Sequence, residues 1–246
     1  MASTRDHADI RDISAVSIAS AGVAFQMFNA AFWAPPVVAD PQDVERRLAA
    51  AAVHFEARQL SWSFWSCEGM VEPALRGRLR RLLERRRLDW TVDLPGMFAE
   101  RILPARRELP RLEIRRVDGP QERVAFCDIG SVCFRVPIGW FREIFQWDPV
   151  WKDFHAWVGY VDGEPVVTAG AVVSEDAIGI YNVATLPLHR RRGYAEALLR
   201  SAIDTLQRET GIGRAVLQST EDGLRIYEAM GFRTVTKVAV FASPTW

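Results

Sequence analysis

His189-Arg190-Arg191-Arg192-Gly193-Tyr194-Ala195 opens the last quarter of the chain, and the predicted fold is organised around it. An apolar run at 178–186 precedes it and ends at Pro187, and apolar residues at helical spacing follow from 195 to 206. This order predicts a strand, a tight basic turn and a helix. Unpaired amides at a helix start, the positive end of the helix dipole and arginine side chains all attract anions. The stretch therefore predicts a phosphate-binding turn, in which Gly193 lets the backbone approach its ligand closely.

Length and composition indicate a globular protein with room for two domains. The chain has 246 residues, of which 49% are apolar and 25% charged, and 31 basic residues balance 31 acidic ones. A formal net charge of zero provides no overall attraction to nucleic acid or to an anionic membrane. The apolar segment 14–33 contains Gln26 and Asn29, so it predicts a buried helix rather than a signal peptide or a membrane span. The expected location is the cytoplasm, with neither nucleic acid nor membrane as a partner.

The three cysteines, Cys67, Cys127 and Cys133, fit neither a disulfide framework nor a zinc site. No C-x-x-C or H-x-x-x-H spacing is present, so we expect no metal. Cys127 and Cys133 fall in a region with helical character, where they are expected to be buried and inert.

The order of predicted elements repeats along the chain. Residues 41–102 read as helix, strand, helix, strand, and residues 194–241 read the same way. Between them, the charged and proline-flanked segment 104–110 is a candidate linker. We therefore expect two domains of related architecture, 1–108 and 109–246.

Two motifs in the second half resemble the signatures of the GNAT N-acetyltransferases. Arg190-x-x-Gly193-x-Ala195 lies between a strand and a helix, and Leu224–Phe232 reads as a tyrosine-bearing helix that ends in Gly-Phe before a strand. The first pattern alone recurs by chance, but both in this order, after an antiparallel meander at 156–185, are fairly specific. The resemblance covers about residues 112–246, and the chain as a whole looks like a tandem GNAT protein.

The resemblance implies an α/β (α+β) fold with two GNAT-like domains, each a mixed, mostly antiparallel central sheet flanked by helices. In this arrangement the N-terminal domain is a degenerate copy. The turn at 33–40, which precedes its first helix, lacks the Arg-x-x-Gly pattern. Only the second domain is therefore expected to bind a phosphate-bearing cofactor.

The resemblance also implies acetyl-coenzyme A as co-substrate and a primary amine of a small molecule or peptide as acceptor. The cofactor's pyrophosphate would bind at Arg190, Arg191, Arg192, Gly193, Tyr194 and Ala195. Its pantetheine arm would pair with a strand edge formed by Val183, Ala184 and Thr185, as an added strand does. In the family, a backbone N–H of that edge polarises the thioester carbonyl.

Tyr227 is by the same resemblance the general acid. A phenol with an ordinary pKa near 10 is protonated at pH 7 and can give its proton to the departing thiolate. The general base stays open among Glu175, Asp176, His155, Glu221 and a water chain. Asn182, on a strand where some family members carry a carboxylate, cannot act as a base but can orient a water.

Two alternatives from other functional classes stay open as well. The protein could be a regulatory module that senses acyl-coenzyme A without transferring the acyl group. The arginine-rich helix at 73–88 could also bind nucleic acid, although leucines at 75, 79, 82 and 83 predict a buried stripe and a solvated basic face.

Overall fold

The computed structural model describes residues 8–38, 40–174 and 176–244, which divide into two compact units. The first unit is built from the chain up to Gly96 and from Val235 onward, and the second is Met97–Thr234. Within the described ranges, no helix combines the length and the apolar character needed to cross a membrane.

The first run of elements forms most of the first unit. In chain order it consists of β1 (Asp9–Ile13), β2 (Val16–Ser20), β3 (Asn29–Trp33), α1 (Pro41–Glu56), β4 (Ser63–Cys67), α2 (Pro73–Arg85) and β5 (Asp89–Ala99). Strands β1 to β3 form an antiparallel meander, and β3 pairs in parallel with β4. Its core includes Phe55 and Trp62, whose rings stack with centroids 4.9 Å apart.

The helix expected over 14–33 is wrong, because this segment forms β2 and β3. A hairpin turn joins β1 to β2 at Ser14 and Ala15, whose φ angles are +47° and +65°. Positive φ at both central residues is the geometry of a tight hairpin turn, which normally uses Asn or Gly. With neither residue present, the local sequence carries no hairpin signal.

The second run lies mainly in the second unit. It consists of β6 (Glu113–Arg116), α3 (Pro120–Phe134), α4 (Ile138–Phe145), β7 (Phe154–Val161), β8 (Glu164–Val173), β9 (Ile178–Thr185), α5 (Tyr194–Thr210), β10 (Ala215–Gln218), α6 (Leu224–Ala229) and β11 (Arg233–Ala242). The strand order in this unit is β5-β10-β9-β8-β7-β6. Strands β9 and β10 pair in parallel, whereas the pairs β6–β7, β7–β8 and β8–β9 are antiparallel. The apolar face of α5 packs into the core with Trp157 and Ile180.

The last strand of each run ends in the unit that the other run forms. Strand β11 pairs with β4 from Val238↔Cys67 to Ala242↔Ser63, inside the first unit. Conversely, Met97 and Ala99 at the end of β5 are buried in the core of the second unit. The units therefore do not follow the boundary expected between 108 and 109, because strand pairing rather than chain order decides where these two segments belong.

Candidate functional site

The turn between β9 and α5 leaves the start of the helix uncapped. Gly193 is the N-cap residue, and no side chain in the described part of the chain bonds to the first amides of α5. Arg191 and Gly193 have φ angles of +61° and +89°. Residues of alternating handedness turn successive N–H groups towards one point, which is the geometry of an anion-binding nest. The turn predicted to bind phosphate therefore combines an uncapped helix start with a left-handed residue on each side of Arg192.

Side-chain charge around this turn is positive. Arg190 donates its Nε–H to the carbonyl of Thr185 at 3.1 Å. Arg191 and Arg192 form no ion pair within the described chain. The acidic residue of the first helical turn, Glu196, is paired with Arg200 at 2.9 Å. Arg191 and Arg192 are thus left available for an anion.

The end of β9 presents an open edge. Its register with β8 shifts between Thr168↔Ala184 and Gly170↔Tyr181, so β9 bulges at this point. Asn182 in the bulge has a φ of +50°, and its carbonyl accepts the Thr168 hydroxyl at 3.0 Å.

On its other side, β9 pairs with β10 only at Ile178 and Gly179. Their pairing stops at that point. Residues 183–185, the edge predicted to receive an extended ligand, therefore lie past the last paired position and next to the phosphate-binding turn.

Cys133, which was expected to be buried and inert, is half-buried and contacts this edge. Its Sγ–H donates to the Thr185 carbonyl at 3.3 Å, the same oxygen that Arg190 contacts. Burial raises the pKa of this thiol, and Arg190 opposes that effect. Cys127, by contrast, is fully buried, and burial raises its pKa to about 12, as expected for an inert core cysteine.

Tyr227 lies on α6 with 9% of its surface exposed. Its ring contacts Phe232 edge-on at 5.8 Å. A Cβ at Gly223 would lie 2.8 Å from Cε2 of the tyrosine, so the glycine makes room for the ring. Burial raises the pKa of Tyr227 to about 12, which keeps the phenol protonated at neutral pH. Tyr227 belongs to the hydrophobic cluster of the second unit, against which Val183, Tyr194 and Ala195 also pack.

Two of the candidate bases are poorly placed. Asp176 is paired with Arg214 at 3.4 Å before the first residue of β9, and its seven-residue separation from Val183 spans about 23 Å of strand. The Nδ1 of His155 contacts the Arg116 guanidinium at 2.8 Å. Because a guanidinium only donates, Nδ1 accepts and a neutral ring holds its proton on Nε2.

The pKa of His155 is lowered, first by burial and then by Arg116. The imidazole is therefore neutral at pH 7 and has no free acceptor nitrogen. Glu175 lies outside the described residues. Glu221 is exposed in the turn between β10 and α6, at the edge where parallel strands β9 and β10 both end. Among the described residues, no three His, Cys, Asp or Glu side chains gather where they would hold a metal ion.

The expected linker at 104–110 is not a free connection. A Cβ built at Gly193 would lie 3.1 Å from Cδ of Pro110 and 3.3 Å from Nη2 of Arg107. The segment therefore packs on the glycine of the phosphate-binding turn. Arg107 precedes that glycine by more than 80 residues and belongs to no motif, so the sequence did not predict this contact.

Comparison with known proteins agrees with this geometry. The profile of the acetyltransferase (GNAT) domain family matches residues 152–234. No curated protein matches the chain. Among solved structures, a GCN5-related N-acetyltransferase from Kribbella flavida has a TM-score of 0.72 and 22% identity, covering 96% of this chain and 89% of that one.

Two further structures extend the likeness in fold. A functionally unknown conserved protein from Staphylococcus epidermidis ATCC 12228 has a TM-score of 0.69 and 11% identity, covering 98% of this chain and 95% of that one. A GCN5-related N-acetyltransferase from Sphaerobacter thermophilus has a TM-score of 0.60 and 17% identity, covering 93% and 76%. Residues 152–234 thus match the acetyltransferase (GNAT) domain family, and the chain has the fold of these GCN5-related N-acetyltransferases.

Proposed function

We propose that the second unit transfers an acetyl group from acetyl-coenzyme A to a primary amine of a small molecule or peptide, by direct attack in a ternary complex. One observation carries the proposal. The open edge of β9 leads directly into the uncapped start of α5, inside the region that matches the GNAT family. An extended arm and a pyrophosphate require these two features in this order.

In this proposal, the amides at Gly193, Tyr194 and Ala195 bind the pyrophosphate together with the guanidinium groups of residues 190–192. The edge at 183–185 pairs with the amide groups of the pantetheine arm. The Thr185 carbonyl already accepts from Cys133 and Arg190, and Ala184 lies opposite Thr168 with its backbone facing β8, so Val183 provides the remaining carbonyl. A backbone N–H of this edge stabilises the negative charge that develops on the thioester oxygen.

Tyr227 holds the proton that the leaving group needs. As the amine forms its bond to the carbonyl carbon and the carbon–sulfur bond breaks, the phenol donates its proton to the departing sulfur. Its pKa of about 12 keeps this proton in place across the physiological range. Glu221, or a water oriented by Asn182, accepts the proton that the amine must lose.

The Tyr227→Phe variant tests the chemistry. It removes the hydroxyl but keeps the ring that packs on Phe232. We expect kcat to fall about ten- to ten-thousandfold, in the range of general acid contributions. The Kd for acetyl-coenzyme A, measured by calorimetry, should change less than about twofold because packing is preserved. A Tyr160→Phe variant is the control, since that phenol packs under Arg115 on another strand.

Thiol release should be measured with a broad panel of amines. If wild-type protein binds acetyl-coenzyme A but transfers the acetyl group to none of them, the sensor alternative is favoured over the enzyme. If it does not bind the cofactor, both are rejected. Equal turnover by wild type and the Tyr227→Phe variant would remove Tyr227 from the mechanism.

A further inference from the structure

The segment 101–112 forms a strap across the second unit. Leu103 donates its backbone N–H to the Met230 carbonyl at 2.9 Å, and the Arg200 guanidinium bonds to the Leu103 carbonyl. A Cβ at Gly231 would lie 2.7 Å from Cγ of Leu103. The strap therefore starts against the residues that follow α6, where it can approach closely because residue 231 is a glycine.

The other end of the strap is anchored as well. A Cβ at Gly159 would lie 2.5 Å from Cδ2 of Leu112, on β7. Pro104 and Pro110 fix their own φ angles between these anchors and reduce the freedom of the chain. Arg107 thus extends from a segment that is held at both ends.

Arg107 directs its charge to the phosphate-binding turn. Its Nη2 lies 3.3 Å from the position of a Cβ on Gly193. It forms no ion pair within the described chain, and its side chain is exposed. Its guanidinium therefore lies beside the positive end of α5, next to the turn that carries Arg190, Arg191 and Arg192, where it can contact a bound anion.

We propose that Arg107 is a cofactor-binding residue, which binds the pyrophosphate of coenzyme A from the side opposite the amides of α5. This inference rests on the proposed function. It makes the phosphate site two-sided, with backbone donors from the turn and a guanidinium from the strap. It also gives residues 104–110 a role in ligand binding.

Calorimetric titration of Arg107→Ala with coenzyme A and with 3′-dephospho-coenzyme A tests the inference. We expect both affinities to fall about tenfold, the loss of one charge-assisted contact. The KM for acetyl-coenzyme A should rise by a similar factor while kcat stays within about twofold. Arg107→Lys should recover part of the affinity, because it keeps the charge without the planar fork. Arg106→Ala, in the same strap, is the matched control and should bind like wild type.

Acetylpantetheine, which has no phosphate, distinguishes a loss of phosphate binding from a general disturbance of the fold. Its KM should be unchanged in Arg107→Ala. An equal rise for acetylpantetheine would show that the strap only supports the fold and would overturn the inference. A loss confined to coenzyme A, absent with the 3′-dephospho form, would overturn the pyrophosphate assignment. Unchanged affinity in Arg107→Ala, with wild type binding normally, would reject this inference alone, whereas no binding by wild type would reject the proposed function too.

Discussion

The helix starts at Asp40 and Gly193 occupy the same place in the two runs of elements. The first is capped by a side chain and carries negative charge, whereas the second is uncapped and lies among positive charges. Before α1, the Asp40 side chain accepts from the amide of Gln42 at 2.9 Å, Pro41 has no N–H to offer, and Asp43 adds a negative charge. Before α5, a glycine leaves the amides free and arginines surround them. A helix start is therefore an anion site only where no side chain of the protein has already capped it.

The strands before these two helices also differ: the first is paired along most of its length, whereas the second has an open edge. Strand β3 pairs with β4 at Ala30, Ala31 and Phe32, close to its full length, and its register with β2 is unbroken. Strand β9 bulges against β8 and leaves β10 after two pairs. All four tyrosines, at 160, 181, 194 and 227, lie in the second unit. Among its described residues, the first unit has no counterpart of this open edge before α1, and its sequence contains no tyrosine.

The largest expected effect comes from giving the second helix the cap of the first. In Gly193→Asp, the carboxylate would bond to the amides of α5 and place a negative charge where phosphate is proposed to bind. We expect the affinity for acetyl-coenzyme A to fall more than about a hundredfold, or about 2.7 kcal/mol. Calorimetry measures it directly.

Gly211→Asp is the matched control for this change. Gly211 ends the same helix with a φ of +75° and has open space around it, so the substitution carries similar backbone strain far from the turn. Its affinity for the cofactor should match wild type. If both variants bind equally well, the contrast between the two helix starts does not explain binding.

A smaller effect on catalysis is expected from removing a hydrogen bond that supports the bulge in β9. Thr168→Val keeps the side-chain volume but removes the hydroxyl that holds the Asn182 carbonyl at 3.0 Å. We expect kcat/KM for acetyl-coenzyme A to fall about three- to tenfold, the loss of one buried hydrogen bond. Steady-state kinetics provides the measurement.

Thr205→Val serves as the comparison for the bulge. It deletes a similar bond, from Oγ1 to the Ser201 carbonyl at 2.8 Å within α5. Kinetics that differ little from wild type are expected there. A similar loss in both variants would attribute the effect to stability rather than to the strand edge.

The smallest effect on the site comes from uncapping the first helix. Asp40→Ala should lower the free energy of unfolding by about 1 kcal/mol, a typical value for an N-cap. Urea unfolding followed by circular dichroism measures this, and calorimetry should show unchanged affinity for acetyl-coenzyme A. Tighter or additional binding in this variant would mean that the first unit also holds cofactor.

The sequence predicted those parts whose signal is local. A helix follows the basic turn as the apolar spacing indicates, and the antiparallel meander expected at 156–185 forms β7, β8 and β9, with a hairpin turn at Asp162-Gly163 whose φ angles are +50° and +82°. The hairpin at Ser14 and Ala15 has the same handedness without a glycine, and the prediction there was wrong.

Features that depend on register or on distant parts of the chain were not predictable in this way. The position at which β9 stops pairing with β10 depends on both strands, so the sequence of neither strand alone predicts it. The contacts of Cys133 with Thr185 and of Arg107 with Gly193 join segments far apart in the chain. Motifs therefore located the core of the candidate site, whereas the tertiary fold supplied its surroundings.

The placement of β5 and β11 means that no single cut between the two runs leaves the strand pairing of both units intact. Cutting the chain after residue 108 would separate β11 from β4 and open the edge at Ser63–Cys67, where the strand could pair with other molecules and aggregate. The same cut would take Met97 and Ala99 from the core around α5. Neither fragment would carry the strand that completes its own unit. The two runs must therefore be made, and removed, as a single chain.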